Sequence, residues 1–296
     1  MKHTTVLLHE SIENLNLTAG KIYFDGTLGA AGHAQEVFSK FGDSVRIIGT
    51  DRSENAIKNA ENIFSKLGKN HSFALSDYRN MDEVLASLQV KNVDGILLDL
   101  GLSSDQLDVS GRGFTFKNNE PLFMTFSENP DGKTTAELIV NNWSEETIAD
   151  ILFGYSDERY ARRIAKAIVE AREIKPIKTT NDLIEIIRSA VPASYRNGKI
   201  HFATKTFQAL RIAVNDEISA LKEGMSKGWS LLNSGGRMAI ISFHSVEDRE
   251  VKNFFRFKAK NKEGILICKK PIIPRDEEIK ENPRSRSAKL RVIEKI

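Results

Sequence analysis

Short apolar runs alternate with helix-like stretches along the first hundred residues. The apolar runs predict strands at Ile22–Phe24, Arg46–Thr50, Ser72–Leu75 and Val93–Leu100. Ala30–Phe41 is a predicted helix, and a second, capped by Ser53, has small or apolar side chains at helical spacing. The last apolar run is typical of strands buried on both faces of a parallel sheet. This alternation predicts an α/β fold with a doubly wound, mostly parallel sheet.

The pattern changes after Gly101. Residues 106–135 combine glycines and prolines with polar side chains, which indicates a loop. Helices alone are predicted from there to Ala190: one from Ser144, one over Asp157–Arg172 and one capped by Asn181 and Asp182. The later elements are a helix over Thr204–Gly228, a Gly235-Gly236 turn into a strand over Arg237–Phe243, a helix over Val246–Lys258 and a strand over Leu290–Ile293.

These patterns predict one α/β domain with a helical insertion. Residues 1–106 form its first part, residues 107–202 the insertion, and residues 203–296 its second part with a basic C-terminal tail. Chains of 296 residues are long enough for such an arrangement.

Composition narrows the class of protein. Hydrophobic residues make up 40% of the chain and charged residues 28%, as in ordinary globular proteins. No run of eighteen apolar residues exists and the N-terminal apolar run is short, so neither a membrane span nor a secretory signal is expected. We therefore expect a cytoplasmic protein. The single cysteine, Cys268, excludes an internal disulfide and a cysteine-rich metal site, and no metal is predicted.

Charge is distributed unevenly. The net charge is +3, but residues 249–296 carry 15 Lys/Arg and 7 Asp/Glu, hence +8, which leaves −5 for the rest. A basic end on a mildly acidic body suits contact with phosphates. Arg284 and Arg286 are the candidates for that contact. A solvated surface strand with outward basic side chains is the alternative.

A glycine-rich turn follows the first predicted strand, in Asp25-Gly26-Thr27-Leu28-Gly29-Ala30-Ala31-Gly32-His33. Small residues let a backbone approach a ligand closely, and the helix that follows presents free N–H groups. Nucleotide enzymes hold a pyrophosphate at this place. A carboxylate before the first glycine would repel pyrophosphate but can accept hydrogen bonds from an ammonium group. Asp25 therefore favours a ligand with an amino-acid end, and a plain strand–turn–helix connection without a ligand is the alternative.

Candidate functional residues also follow the other predicted strands. Asp51 follows the second strand, where an acid can accept hydrogen bonds from ribose hydroxyls or cap the next helix. Tyr78 follows the third and offers a flat face for adenine, or packs in the core. Asp99 ends the fourth, at the edge where doubly wound sheets bind ligands, or caps the next loop. His244 ends the strand near the C-terminus, and we favour a structural role for it.

Eight strings together resemble the MraW (RsmH) family, the bacterial small-subunit rRNA cytosine-N4 methyltransferases. They are His3–Leu8, Asp25–Gly29, Gly95–Gly101, Ser103–Asp108, Arg112–Phe116, Thr206–Ile212, Ile241–Ser245 and Asn282–Ser287. The resemblance spans nearly the whole chain, and the order and spacing of the strings are very specific. It implies a class I (Rossmann-like) methyltransferase sheet with a helical insertion that helps hold RNA.

The resemblance also implies site residues and partners. Contacts to S-adenosylmethionine are implied at Ala31, Gly32, His33, Asp51, Tyr78, Asp99 and Gln106. Asp99 is in addition the candidate catalytic residue. The implied partner is 16S rRNA or the small ribosomal subunit, with the oligomeric state left open, a dimer included. The family turn usually has two glycines before the histidine, whereas this chain has Ala31-Gly32, and we expect cofactor binding to survive that change.

A target cytidine must leave its base stack to be modified. Phe114, Phe116, Trp143 and Tyr155 are the insertion aromatics that could receive it, and most of them are expected to pack internally.

Two other functions fit parts of the pattern. An NAD-dependent oxidoreductase would also use a glycine turn followed by an acid, and Tyr195 and Lys199 have the spacing of a Tyr-x-x-x-Lys pair. Gly198 and Pro192 make a stable helix there unfavourable, and the turn lacks the three-glycine spacing. A non-catalytic RNA-binding or ribosome assembly factor is the other alternative.

Overall fold

The computed structural model describes residues 4–101, 110–127, 129 and 132–296. The first part of the chain has the predicted alternation, with α1 (Leu8–Leu15), β1 (Ile22–Asp25), α2 (Gly32–Phe41), β2 (Arg46–Asp51), α3 (Glu54–Phe64), β3 (His71–Leu75), α4 (Met81–Ser87) and β4 (Val93–Asp99). All four predicted strands are confirmed. Helices α1 and α4 were not predicted. The string Ser103–Asp108, which contains Gln106, lies outside the described residues.

The middle of the chain is helical. Its described elements are α5 (Ala136–Asn142), α6 (Glu145–Ser156), α7 (Ala161–Ile174), α8 (Thr180–Ala190), α9 (Ala193–Arg196) and α10 (Thr204–Asn215). Helix α8 begins after Thr179, whose hydroxyl accepts from the Asp182 N–H while Asp182 caps Thr179 in return. The predicted cap, Asn181 and Asp182, therefore lies within the first turn of the helix.

The α/β pattern then returns with α11 (Glu217–Leu231), β5 (Leu232–Ser242), α12 (Ser245–Lys260), β6 (Gly264–Leu266), α13 (Asp276–Glu281) and β7 (Lys289–Lys295). The single helix predicted over Thr204–Gly228 is wrong, because Asp216 adopts a left-handed conformation (φ 50°) and separates α10 from α11. Among the described residues, no helix is long and apolar enough to cross a membrane.

The seven strands form one sheet in the order β3-β2-β1-β4-β5-β7-β6. The first five are parallel, and β7 runs antiparallel to both β5 and β6. Buried side chains alternate between the two faces: Leu97 packs in one apolar cluster and Ile96 and Leu98 in the other. This arrangement is the doubly wound, mostly parallel sheet predicted from the sequence.

The chain divides into two compact units, residues 1–101 with 218–296, and residues 102–217. The second unit is longer than the predicted insertion, 107–202. Helix α10 explains the later boundary, because its Phe207, Ala209 and Leu210 are buried in the apolar core of the helical unit. The start of that unit falls in residues outside the described range.

The predicted basic tail is wrong as a tail. Residues 249–296 contain most of α12 together with β6, α13 and β7, and β7 lies inside the sheet between β5 and β6. Buried Asp248 accepts from Arg291 (2.7 Å) and Lys289 (3.4 Å), which fixes α12 to β7. Two of the basic residues thus stabilise the fold, whereas Arg284 and Arg286 are exposed.

Candidate active site

The glycine turn connects β1 to α2 and is closed by backbone hydrogen bonds. The Gly26 N–H donates to the Leu97 carbonyl of β4 (2.9 Å) and the Ala31 N–H to the Leu28 carbonyl (2.7 Å). Gly29 and Ala31 both have positive φ, 49° and 61°. A glycine at Ala31 would avoid a backbone cost of roughly 1–2 kcal/mol, which gives a physical reason for the glycine usual at this position. The Ala31 N–H serves the turn itself.

The N-terminal segment lies against the start of α2. A side chain at Gly32 would meet Thr5, with the added carbon only 1.9 Å from the Thr5 hydroxyl oxygen. His33 is buried, and its Nε2 lies 3.2 Å from the Val6 carbonyl oxygen. Gly32 is therefore required for packing inside the protein, and the His33 side chain anchors the N-terminal segment. Any contact of these residues with a ligand would be made by their backbone.

Asp51 ties the glycine turn to β2. Its two carboxylate oxygens accept from the Gly29 and Ser53 N–H groups, each at 2.8 Å. Ser53 caps α3, so that role is not needed from Asp51. Burial raises the pKa of Asp51 in spite of these N–H groups. Each carboxylate oxygen can accept a second hydrogen bond, so the ribose role predicted from the sequence remains open to this side chain.

Asp77 and Tyr78 follow β3. Asp77 forms ion pairs with Arg52 and Arg79, which give it a structural role. Tyr78 is half-buried, and a side chain at Gly224 of α11 would lie 2.5 Å from the Tyr78 ring. Gly224 thus allows α11 to approach the ring. The aromatic predicted for an adenine lies at the carboxyl edge of the sheet, beside the glycine turn, since a side chain added at Gly26 would lie 2.9 Å from the Tyr78 Cβ.

Asp25 and Asp99 end two neighbouring parallel strands. Asp25 pairs in register with Leu97, two residues before Asp99. Asp25 is 1% exposed and accepts from the Tyr23 hydroxyl (3.0 Å) and the Thr27 N–H (3.2 Å). Burial raises the pKa of Asp25 to about 7.

Asp99, by contrast, is only partly buried. Its carboxylate accepts one long hydrogen bond from the Gly101 N–H (3.4 Å). Burial, reinforced by the charges of Asp25 and Glu247, raises the pKa of Asp99 to about 7. Neither Asp25 nor Asp99 forms an ion pair with any described Lys, Arg or His. One buried and one partly buried acid, neither with a cationic partner among the described residues, are suited to a ligand that brings its own positive charge.

The full chain, residues 1–296, matches the MraW methylase family. The chain belongs to this family. The ribosomal RNA small subunit methyltransferase H of Acetivibrio thermocellus is 43% identical over 312 residues, covering 100% of this chain and 99% of the relative. The protein of the same name from Clostridioides difficile is 42% identical over 309 residues, covering 99% of each chain. A crystal structure of an rRNA methylase from Streptococcus thermophilus is 12% identical over 99% of both chains, with a TM-score of 0.47.

The site contains further residues that sequence reasoning overlooked. The Thr27 hydroxyl accepts from the Asp99 N–H (2.6 Å), so the first turn also holds the end of β4. Glu247, 2% exposed, accepts from the Phe243 N–H (2.9 Å) and adds negative charge near Asp99. His244 and Glu247 form a reciprocal capping box at the start of α12. Their spacing of three residues is the signal that would have identified Glu247.

The structure brings together most of the predicted site residues. Ala31, Gly32, His33, Asp51, Tyr78 and Asp99 all belong to turns and strand ends at the carboxyl edge of the sheet. Gln106 lies outside the described residues. The capping role of His244 agrees with the structural role favoured from the sequence.

The aromatic side chains considered for the cytidine pack inside the helical unit. Phe114 is buried and stacks on Phe126, and Phe116 stacks on His201 with ring centroids 4.4 Å apart. Trp143 and Tyr155 are partly buried against the same core. Tyr195 belongs to α9, which ends at Arg196 before Lys199, and its hydroxyl donates to Glu158. As the sequence predicted, Tyr195 and Lys199 therefore do not lie on one face of a shared helix.

Proposed function

We propose that this chain transfers the methyl group of S-adenosylmethionine to the exocyclic N4 of a cytidine in 16S rRNA, in the decoding region of the small ribosomal subunit. Membership of a methylase family supports the reaction type. Relatives covering the whole chain at 42–43% identity are named for methylation of small-subunit rRNA, which supports the substrate. The reaction would take place in the cytoplasm.

The observation that carries the proposal is the pair of acids at the ends of β1 and β4, which have no cationic partner among the described residues. S-adenosylmethionine supplies a methyl group on a sulfonium, and its amino-acid end carries an ammonium group. Asp25 and Asp99, whose pKa values burial raises to about 7, would both become ionised beside such positive charges. The residues of the site thus fit this methyl donor electrostatically.

The other predicted contacts fit the remaining parts of the donor. Asp51 would accept from the ribose hydroxyls with the lone pairs left over after Gly29 and Ser53. Tyr78 would lie along the adenine, and the backbone of Gly32 and His33 would border the methionine end. We propose Gln106 as a further contact on the strength of the family resemblance.

Asp99 is the residue that we propose as the hydrogen-bond acceptor for the target amine. The N4 amine of cytosine is weakly basic because its lone pair is delocalised into the ring. As the amine attacks the methyl group, the carbon–sulfur bond of the donor would break and positive charge would develop on N4, making its N–H bonds better donors. One N4 proton would then leave to the Asp99 carboxylate or to water. A carboxylate at Asp99 would accept one of these N–H groups and stabilise that charge, while orientation of the amine contributes the rest. Thr27 holds the Asp99 backbone in place through its hydroxyl.

A surface cavity beside this edge could hold RNA next to the target nucleotide. It has a volume of about 250 Å³ and is lined by Phe243, Arg286, Lys289 and neighbouring residues. Phe243 follows the end of β5, the strand that pairs with β4 through Ile241 and Asp99. Exposed Arg286 supplies positive charge there. The expected phosphate contact would then be made by the turn before β7.

The proposal is tested by incubating the protein with methyl-labelled S-adenosylmethionine and small subunits that lack the modification, followed by nucleoside mass spectrometry of the rRNA. We expect N4-methylcytidine in 16S rRNA. Label in another nucleoside would overturn the acceptor assignment. Binding of S-adenosylhomocysteine without methyl incorporation would favour an assembly factor, and tight binding of NADH instead would favour an oxidoreductase.

A further inference from the structure

The charge of the helical unit is segregated along the sequence. Residues 102–217 contain 15 Lys/Arg and 17 Asp/Glu, so the unit as a whole is slightly acidic. Residues 159–169 nevertheless contain four basic and no acidic residues, and residues 186–215 contain five basic and no acidic residues. These two stretches therefore carry nine of the 15 basic residues of the unit and none of its acidic residues.

These two segments meet in a cluster of arginine and tyrosine side chains. The rings of Tyr160 and Tyr195 are in edge-to-face contact with centroids 5.0 Å apart. The Arg159 guanidinium lies 4.8 Å from the Tyr160 centroid and 5.0 Å from that of Tyr195, and the Arg163 guanidinium lies 5.8 Å from Tyr160. We call Arg159, Tyr160, Arg163 and Tyr195 the Arg–Tyr platform.

A buried acid holds the tyrosines of the platform in position through hydrogen bonds. Glu158 is fully buried, and it accepts from the Tyr195 hydroxyl (2.5 Å) and the Tyr160 N–H (2.9 Å). On the neighbouring helix, the Lys205 ammonium donates to the Asp157 carbonyl (2.7 Å). The two rings therefore have defined positions. Guanidinium groups that rest on such rings lose part of their freedom before any ligand binds.

The two arginines of the platform are exposed and carry uncompensated charge. Neither Arg159 nor Arg163 forms an ion pair with a described carboxylate, in contrast to Arg188, which pairs with Glu185 at 2.7 Å. Glu158 is the nearest acid in sequence, and its carboxylate is committed to the tyrosines. An anion approaching this face would meet oriented donors that no described acid of the unit already occupies.

We propose that the Arg–Tyr platform binds the RNA substrate, with the two guanidinium groups on phosphates of a single-stranded segment and their outer planes available to its bases. The inference rests on the proposed function, since it assumes an RNA substrate. Arginine supported by aromatic rings is the combination that recognises unpaired RNA through phosphate contact and stacking. An acidic protein partner would use the charge but would leave the stacking geometry without a role.

The test is the double variant Arg159→Gln/Arg163→Gln, titrated with an in vitro transcript of small-subunit rRNA at several salt concentrations. Loss of two single-strand phosphate contacts should lower the slope of log affinity against log salt by about 1.4 and weaken binding by roughly 10-fold or more at 0.1 M salt. The matched control is Lys175→Gln/Lys178→Gln. It removes the same charge from the loop after α7, about 20 Å away by the rise of that helix.

The outcomes separate this inference from the proposed function. If the wild-type protein neither binds nor methylates the RNA, the proposed function fails. If the wild type methylates and both double variants show the same affinity and salt slope, the platform assignment is wrong. A loss of affinity for assembled subunits but not for protein-free rRNA would assign the platform to a ribosomal protein and also overturn it. Unchanged binding of S-adenosylhomocysteine and an unchanged melting temperature confirm that the variants are folded.

Discussion

Replacing Asp99 with asparagine should make the ligand-free protein more stable and less active. Burial and the neighbouring charges of Asp25 and Glu247 raise the pKa of Asp99 from an ordinary value of 3.8 to about 7. A pKa difference of that size means that ionised Asp99 lowers the free energy of unfolding by about 4 kcal/mol. This figure is an upper bound for the stabilisation, because Asp25 and Asp99 influence each other and an asparagine amide must also be accommodated.

The raised pKa of Asp99 determines at which pH the variant is more stable than the wild type. An acid whose pKa is raised in the folded state has no effect on the free energy of unfolding below its unfolded pKa, near 4. As the pH rises from there towards 7, the acid lowers the free energy of unfolding. Asp99→Asn should therefore match the wild type near pH 4 and exceed it at pH 8. We expect a gain of about 1–4 kcal/mol there, or about 2–4 °C in Tm for each kcal/mol. Thermal unfolding across this pH range measures it.

The same substitution should reduce catalysis. An amide can still accept a hydrogen bond but carries no charge to stabilise a developing positive charge on N4. We expect kcat to fall by roughly 10²–10³, the range for one lost electrostatic contact to the transition state. Single-turnover methylation at saturating S-adenosylmethionine isolates this step. If Asp99 serves only the methyl donor, the donor KM will rise instead and kcat will stay near the wild-type value.

Asp94, at the opposite end of β4, provides the matched control. Its carboxylate accepts from the Ile22 N–H (2.9 Å), Asn233 (2.9 Å) and Lys21 (3.0 Å). Although burial works in the other direction, these contacts hold the pKa of Asp94 below its ordinary value. Asp94→Asn should therefore lose about 1–3 kcal/mol at neutral pH and keep its kcat. Equal destabilisation by both substitutions would refute the idea that Asp99 is strained by an unpaired charge.

Three further predictions concern the same unit. Asp51→Ala should weaken S-adenosylhomocysteine binding by about 1–3 kcal/mol in calorimetry, and an unchanged affinity would remove it from the site. Arg291 and Lys289 hold the pKa of Asp248 below its usual range in spite of burial, so Asp248→Asn should lose about 2 kcal/mol at pH 7, and the difference should disappear as the pH falls through the range where Asp248 takes up a proton. Finally, S-adenosylmethionine should release more protons than S-adenosylhomocysteine on binding near pH 7, because its sulfonium lowers the raised pKa values of Asp25 and Asp99. Calorimetry in buffers of different ionisation enthalpy measures that number, and equal release would count against a sulfonium beside these acids.

The predictable part of the fold is the part with strong periodicity. Strand β4 is buried along nearly its whole length, so its apolar run identified it directly. Helix α1 was missed because it begins after Leu7, a left-handed residue without a capping side chain, so no sequence signal marks its start. The break at Asp216 has no glycine or proline to indicate it. Strand β6 has three residues and depends on pairing with β7, a contact remote in sequence.

The candidate site divides in the same way. Asp25, Asp51 and Asp99 could be identified from sequence because each follows an apolar run, and parallel strands bring their carboxyl ends to one edge. Thr27 could not be identified, because its role depends on a hydrogen bond to a residue 72 positions away. The C-terminal arginines show the limit of charge counting, since Arg291 forms an ion pair with Asp248 while Arg286 stays exposed.

The two ends of β4 show how one sheet treats buried carboxylates in opposite ways. At the amino end, Lys21 and Asn233 satisfy Asp94, and the acid stabilises the fold. At the carboxyl end, Asp99 has one long hydrogen bond and two acidic neighbours. A lysine placed there would remove the penalty, but it would also occupy the position that a cationic ligand needs. We expect the stability lost by leaving Asp99 without a cationic partner among the described residues to be recovered when a positively charged ligand binds, which would couple ligand binding to the stability of the sheet edge.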